Sequence, residues 1–246
     1  MTVRVVTDSM GDIPPQVVQE LGITIIPLYI RFGEESYRDG VELSSDDFYH
    51  KLTTSPFHPQ SSTPSPAQFI EVYDKLAEET DEIISIHISS KLSATYEAAL
   101  GAKGHMKKTC RVEVMDSSTT LMGQGLILIE AAKAAQRGES LDQITAMVKE
   151  LIPRVQTRAC LDTLEYLRKG GRIGKAQALL GTILKVHPIL GIKGGEVVPI
   201  ARERSRARAM DWLYNFVKGF SHIKSLAVEH ATTPDEAGAL ADRIGT

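Results

Sequence analysis

Serine and threonine hydroxyls gather in two short segments of this chain. Gln60–Pro66 reads QSSTPSP and Ser89–Tyr96 reads SSKLSATY. Each stands where a strand or loop meets a helix N-terminus. Hydroxyls and the unpaired amides of a first helical turn can together donate several hydrogen bonds to one pair of anionic oxygens, aided by the helix dipole. A carboxylate or phosphate is the natural ligand. The competing role is local, because Ser and Thr commonly cap the helix they precede. A third polar turn, Asp8-Ser9, has the same context. Three such loops on a common sheet edge favour binding over capping.

Other chemistry finds little support. The chain holds no GxxxxGK[ST] phosphate loop, no GxGxxG turn and no GxSxG nucleophile elbow. His50 and His58 are spaced unlike metal ligands and are expected to be exposed, while lone histidines such as His87 and His105 read as structural or surface residues. Arg202–Arg208, RERSRAR, is broken by Glu203 and Ser205 and reads as a solvated face. With a formal charge of -3 there is no basis for a nucleic-acid partner. Cys110 and Cys160 lie outside any CxxC pattern, so neither zinc nor a disulfide is expected. Both read as buried core residues of a protein in a reducing cytoplasm. The start, MTVRVVTDS, lacks the apolar run of a signal peptide. The most apolar stretch, Leu121–Ala135, is interrupted by Gln124 and Glu130 and is too short to span a bilayer.

The elements that must position these loops can be read from periodicity. With 42% hydrophobic and 24% charged residues, 246 residues make one large globular domain or two modest ones. Val3–Val6 reads as a strand, followed by a helix from near Pro14. Ile23–Phe32 is a second strand-like run, Ser44–Asp47 begins a helix that runs through Leu52, and Thr53–Pro66 reads as a loop. Ala67–Thr80 has Phe69, Val72, Tyr73 and Leu76 on one helical face. Glu82–Ile88, with Ser85 and His87 interleaved, and Arg111–Met115 read as strands. Leu121–Gln136 and Asp142–Leu151 read as helices.

Three times an apolar strand thus enters a loop of Ser, Asp or Thr and then a helix. That order predicts an α/β fold with a mostly parallel sheet flanked by helices, and a ligand beyond the carboxyl ends of the strands. From about Ile152 the pattern mixes strands and helices. Strands are expected at Arg158–Asp162, His187–Ile192, Val197–Ile200 and Ser225–His230, and helices at Thr163–Lys169, Ala176–Leu184, Arg206–Lys218 and Pro234–Ile244. The reading is two domains, residues 1–152 α/β and residues 153–246 α+β, with a ligand cleft between them.

Five segments carry a family resemblance. TDSMGDIP (Thr7–Pro14), SSTPSPAQF (Ser61–Phe69), ISSKLSATY (Ile88–Tyr96), DSSTTLMGQG (Asp116–Gly125) and LDTLEYLRKGGRIGKAQALLGTILKVHPIL (Leu161–Leu190) resemble, in order, the hallmark segments of the DegV family. The resemblance spans essentially the whole chain. It implies a two-domain α/β protein that holds a long-chain fatty acid between its domains, without another cofactor, and that can serve as the binding subunit of a bacterial fatty acid kinase.

By the same resemblance, Ser61 and Ser93 match the hydroxyls that hold the ligand carboxylate, with Ser62 and Ala94 beside them and Arg172 near the head group. Ser61 replaces the usual threonine, Thr63 the usual glutamine, and Ala94 the usual glycine, whose place allowed closer approach. Arg172 reads equally well as a surface arginine closing a turn. A strand and an HTGPG-like segment, its histidine near the carboxylate, would follow beyond Thr246, so the expectation is a second domain that is truncated or lacks that group. Leu179, Leu180, Ile183 and Leu184, with Ile26, Leu28 and Ile30, are candidate tunnel lining or plain core.

A carrier is the leading reading and not an enzyme. The alternatives are a serine-based acyl hydrolase or small phosphotransferase built on Ser93, and a dimeric regulatory module. Against the hydrolase, no histidine or acid is placed by the sequence to activate Ser93.

Overall fold

The computed structural model describes residues 2–180 and 186–245. The chain divides into two compact units, Met1–Val155 and Gln156–Thr246. The elements of the first unit are β1 (Arg4–Asp8), α1 (Pro15–Leu21), β2 (Thr24–Ile26), β3 (Tyr29–Phe32), β4 (Glu35–Arg38), α2 (Ser45–Thr54), β5 (Gln60–Ser62), α3 (Pro66–Leu76), β6 (Glu82–His87), α4 (Thr95–Lys103), β7 (Arg111–Asp116), α5 (Met122–Gln136) and α6 (Leu141–Leu151).

The α/β class read from the sequence holds. Four parallel strands form a sheet in the order β2-β1-β6-β7. Helices cover both faces, which is why the central strands are apolar almost without alternation. On one face Val5, Ile84 and Ile86 pack with Ile127 and Leu128 of α5 and Ile144 of α6. On the other, Val6 and Ile83 pack with Phe69 and Tyr73 of α3 and Ala99 of α4. Packing of α5 is close enough that a Cβ on Gly125 would stand 2.4 Å from the Gly11 carbonyl oxygen, so only glycine fits there. Caps mark the helix starts: Ser65 with Gln68 begins α3, and Ser140 with Gln143 begins α6.

The run Ile23–Phe32 is not one strand. β2 ends at Ile26 and β3 begins at Tyr29 in a different, antiparallel sheet of order β4-β3-β5. Pro27 has no amide to continue a ladder, and the next amide, of Leu28, donates to Ser9 Oγ at 3.2 Å. β4 and β5 were not legible, β5 lying inside the stretch read as a loop. Both are short, exposed edge strands without an apolar stripe.

The second unit contains β8 (Arg158–Cys160), α7 (Glu165–Lys169), β9 (His187–Lys193), β10 (Glu196–Glu203), α8 (Arg206–Lys218) and α9 (Pro234–Gly245), with a 3-10 turn at Gly174–Leu179. Its sheet is antiparallel, in the order β10-β9-β8. The hairpin turns on Gly194 and Gly195, both in the left-handed region with φ of 59° and 81°. The α8 aromatics stack, Trp212 on Phe216 at 5.7 Å, and the Arg158 guanidinium lies 4.5 Å from the Phe216 ring centre.

Two expectations fail in this unit. Ser225–His230 is irregular, with Leu226 left 46% exposed. A β-prone segment becomes a strand only where a neighbour accepts its ladder, and among the described residues none does. Ala176–Leu184 is not an α-helix where it is described: its start belongs to the 3-10 turn, and residues 181–185 lie outside the described residues.

Candidate functional site

The polar loops after β1, β6 and β7 lie at the carboxyl edge of the parallel sheet, and backbone hydrogen bonds knit them together. The Gln60–Pro66 segment is not one of them, because Gln60–Ser62 forms β5 of the separate antiparallel sheet. The Ser89 amide donates to the Thr119 carbonyl at 2.9 Å, Ser117 to His87 at 2.9 Å, and Leu121 to Met10 at 2.8 Å. Ser90 Oγ donates to Asp116 Oδ2 at 2.6 Å. The chain leaves β1 toward β2 through α1 on one face and reaches β6 through α3 on the other. The edge between β1 and β6 is therefore the topological switch point, where open α/β sheets leave a crevice for ligands.

Ser93 sits in the loop after β6, half-buried, with its amide donating to the Ser89 carbonyl at 3.0 Å. Its Oγ is 2.8 Å from Oγ1 of the buried Thr95. Ser93 is not the helix cap: that position is Ala94, which has no side chain to bond the first turn of α4. Ser61 and Ser62 are exposed on β5, opposite Ile30 and Tyr29, and also cap no helix. β5 leads into α3, and α3 packs beside α4, so the three serines precede neighbouring helices that both start at the carboxyl edge.

Arg172 belongs to the second unit. It is exposed, and its Nη1 donates to the Gly170 carbonyl at 2.6 Å, closing the turn after α7. Of the candidate lining residues, Ile26 and Leu28 are buried core, Ile30 and Leu179 are half-buried, and Leu180 is 39% exposed. Ile183 and Leu184 lie outside the described residues. Cys110 and Cys160 are free but only half-buried, not core as expected, because each sits at a strand end near solvent. Burial raises the pKa of both thiols. A cavity of about 310 Å³ beside Arg4 and Gly22 and one of about 440 Å³ beside Arg206 and Glu236 do not include the site serines.

Beneath the loops lies a buried polar chain that the sequence reading missed as a unit. His87 Nδ1 meets Asp8 Oδ2 at 2.9 Å, and its Nε2 meets Ser85 Oγ at 2.7 Å. Tyr73 donates its hydroxyl to Ser85 Oγ at 2.7 Å. With the Nδ1 proton directed at Asp8, Nε2 accepts from Ser85, and the donors run one way from Tyr73 to the Asp8 carboxylate. Phe69 closes the histidine edge-on at 5.2 Å. Burial works to raise the Asp8 pKa, but the hydrogen bond from His87 and those from the amides of Ile88 and Met10 outweigh it and hold it below the ordinary value. The signal was present in β6: Ser85 and His87 are two residues apart, hence on one face of an otherwise apolar strand.

At the rim the charge differs. Asp12, in the left-handed conformation at φ 47°, has its pKa pushed up to about 6 by partial desolvation and by the Asp39 charge. Burial raises Asp39 as well. Among the described residues no group of three His, Cys, Asp or Glu side chains could hold a metal ion, and no helix is long and apolar enough to cross a membrane.

Fold and loops together define an α/β protein with a hydroxyl-bearing sheet edge suited to a small anionic head group. The chain belongs to the DegV family: the family profile, described as "Uncharacterised protein, DegV family", matches residues 2–245. A DegV domain-containing protein of Caldanaerobacter subterraneus subsp. tengcongensis is 37% identical over 216 residues, covering 88% of this chain and 76% of that relative. A fatty-acid-binding DegV family protein from Thermus thermophilus has a similar structure, with a TM-score of 0.81 and 34% identity over 89% of this chain and 79% of that one. A stearic acid-binding protein from Eubacterium ventriosum matches with a TM-score of 0.80 and 26% identity over 88% of this chain and 75% of its own.

Proposed function

We propose that this protein is a carrier for a long-chain fatty acid. The observation that carries the reading is its likeness, over 89% of its length, to a DegV protein that binds fatty acid. The site geometry supports it. Ser93 offers a hydroxyl at the carboxyl edge, Ser61 and Ser62 offer exposed hydroxyls on β5 just before α3, and the uncapped first turn beyond Ala94 offers amides, a donor set suited to a carboxylate. Each methylene that the protein buries contributes roughly 0.8 kcal/mol, so a long alkyl chain supplies most of the affinity while the hydroxyls fix which end is which. Arg172 is assigned to the same ligand on the family resemblance alone.

The serine-hydrolase reading has less support. Ser93 Oγ is paired with Thr95, whereas the histidine–carboxylate pair serves Ser85. Ser85 and His87 are each 0% exposed and Asp8 1%, sealed beneath Tyr73 and Phe69, so an ester has no path to that serine.

On the resemblance, the bound carboxylate is presented to a fatty acid kinase, which phosphorylates it while the carrier holds the chain. Free cysteines fit the reducing cytoplasm in which such a pair works. Native mass spectrometry of the purified protein, followed by lipid extraction, tests the carrier reading. A stoichiometric fatty acid supports it and identifies the chain; a lipid-free protein that takes up no fatty acid after addition refutes it. Kinase coupling is tested separately, by acyl-phosphate formation with a fatty acid kinase catalytic subunit in the presence and absence of this protein.

A further inference from the structure

We infer that Asp8 is a positioning residue for the head-group loop, acting on the ligand through Ser93. Asp8 touches no ligand-accessible surface, being 1% exposed at the end of β1. Its carboxylate is where the loops of the switch point meet. Oδ1 accepts from the Met10 amide at 3.0 Å and from Gln124 Nε2 at 3.2 Å. Oδ2 accepts from the Ile88 amide at 2.9 Å and meets His87 Nδ1 at 2.9 Å. These partners come from the loop after β1, the start of α5, and the exit of β6. One carboxylate therefore ties three segments that are 2, 116 and 80 positions away in sequence.

The path to Ser93 is short. Ile88 is the first residue beyond β6, and the next residue, Ser89, accepts the amides of Leu92 at 2.9 Å and Ser93 at 3.0 Å. Ser89 also donates its own amide to Thr119, in the third loop. Moving Ile88 thus moves the acceptor that sets the turn carrying the Ser93 hydroxyl. Placement at the β1–β6 switch point gives the tie its leverage, since no crossover helix bridges those two loops directly. A buried charge with these partners is an arrangement that a fold could replace with apolar packing at little cost. Its presence under the loops, and not elsewhere in the sheet, is what a positioning role explains.

The inference rests on the carrier reading, and the experiment separates the two. Binding of palmitate and of hexadecanol, which has the same chain without a carboxylate, is measured on wild type, Asp8→Asn, Ser93→Ala and the double variant, with thermal unfolding alongside. Asparagine keeps the shape but replaces one acceptor oxygen with a donor, so at least one of the loop amides loses its partner. The expected result is a loss of at least about tenfold for palmitate, a change within about twofold for hexadecanol, and little further loss when Asp8→Asn is added to Ser93→Ala. Equal losses for both ligands, or additive effects of the two substitutions, would overturn the inference and leave Asp8 a purely structural residue. Wild type that binds no palmitate sinks the carrier reading and the inference with it, whereas wild type that binds palmitate and hexadecanol equally overturns the inference alone. If Asp8→Asn does not fold, Gln124→Met removes a single donor to Asp8 while keeping side-chain length. The same acid-only loss, smaller in size, is then expected, and its absence overturns the inference.

Discussion

Ser93 Oγ stands 2.8 Å from Oγ1 of buried Thr95, so a core hydroxyl fixes where the more exposed one points. Ser93→Ala and Ser61→Ala should each weaken fatty-acid binding by about 1.5–3 kcal/mol, the worth of a hydrogen bond to a charged group. The fold should persist, because neither serine caps a helix. Titration calorimetry with a delipidated sample reads the effect, and unchanged affinity in the double variant would move the head group elsewhere.

Tyr73→Phe should destabilise the first unit by about 1–2 kcal/mol with little change in ligand affinity. It removes only the outermost hydroxyl of the buried chain, leaving Ser85 to His87 and His87 to Asp8 in place. Urea unfolding gives the stability change. A large drop in affinity without a drop in stability would contradict the order of the chain.

Leu121 holds φ 57° and ψ -154°, a region that only glycine visits without strain, while its amide bonds Met10. Relief of about 1–3 kcal/mol of strain should exceed the roughly 0.5–1 kcal/mol of extra chain entropy that glycine loses on folding. Leu121→Gly should therefore be more stable than Leu121→Ala by about 1 kcal/mol, reversing the usual order of the two residues. Comparing these variants cancels the lost leucine packing. An alanine variant equal to or better than glycine would show the backbone to be relaxed.

Asp12 titrates near 6 in the folded protein, above its ordinary 3.8. The folded state then holds more protons than the unfolded chain between these values, so this residue lowers stability as pH rises from about 4 to about 6 and keeps it lower above that. Asp39 acts in the same direction, and Asp8, with its lowered pKa, acts oppositely at more acid pH. Asp12→Asn should raise the melting temperature at pH 7, leave it nearly unchanged at pH 4, and flatten the fall between. Asparagine also tolerates the left-handed backbone at this position. Parallel melting curves from pH 4 to 7 decide it; identical slopes would remove Asp12 from the account.

Local signals were enough for the parallel sheet and its helices. The apolar runs at β1, β6 and β7, the cap at Ser44, and the helical face of Phe69, Tyr73 and Leu76 each depend on residues within a few positions of one another. The same locality placed Ser93 between a strand and a helix. It failed where partners decide the outcome. Pro27 split one apolar run between two sheets, β5 became a strand only because β3 offered it an edge, and Ser225–His230 had no such edge and stayed irregular. The buried chain shows the limit most clearly. Ser85 and His87 could be seen to share a face, but their meeting with Tyr73 and Asp8 follows from α3 packing on β6 and from the register that sets Thr7 against Ile86. Residues 79 apart are brought to 2.9 Å by parallel pairing, and no short-range pattern encodes which two strands will be neighbours.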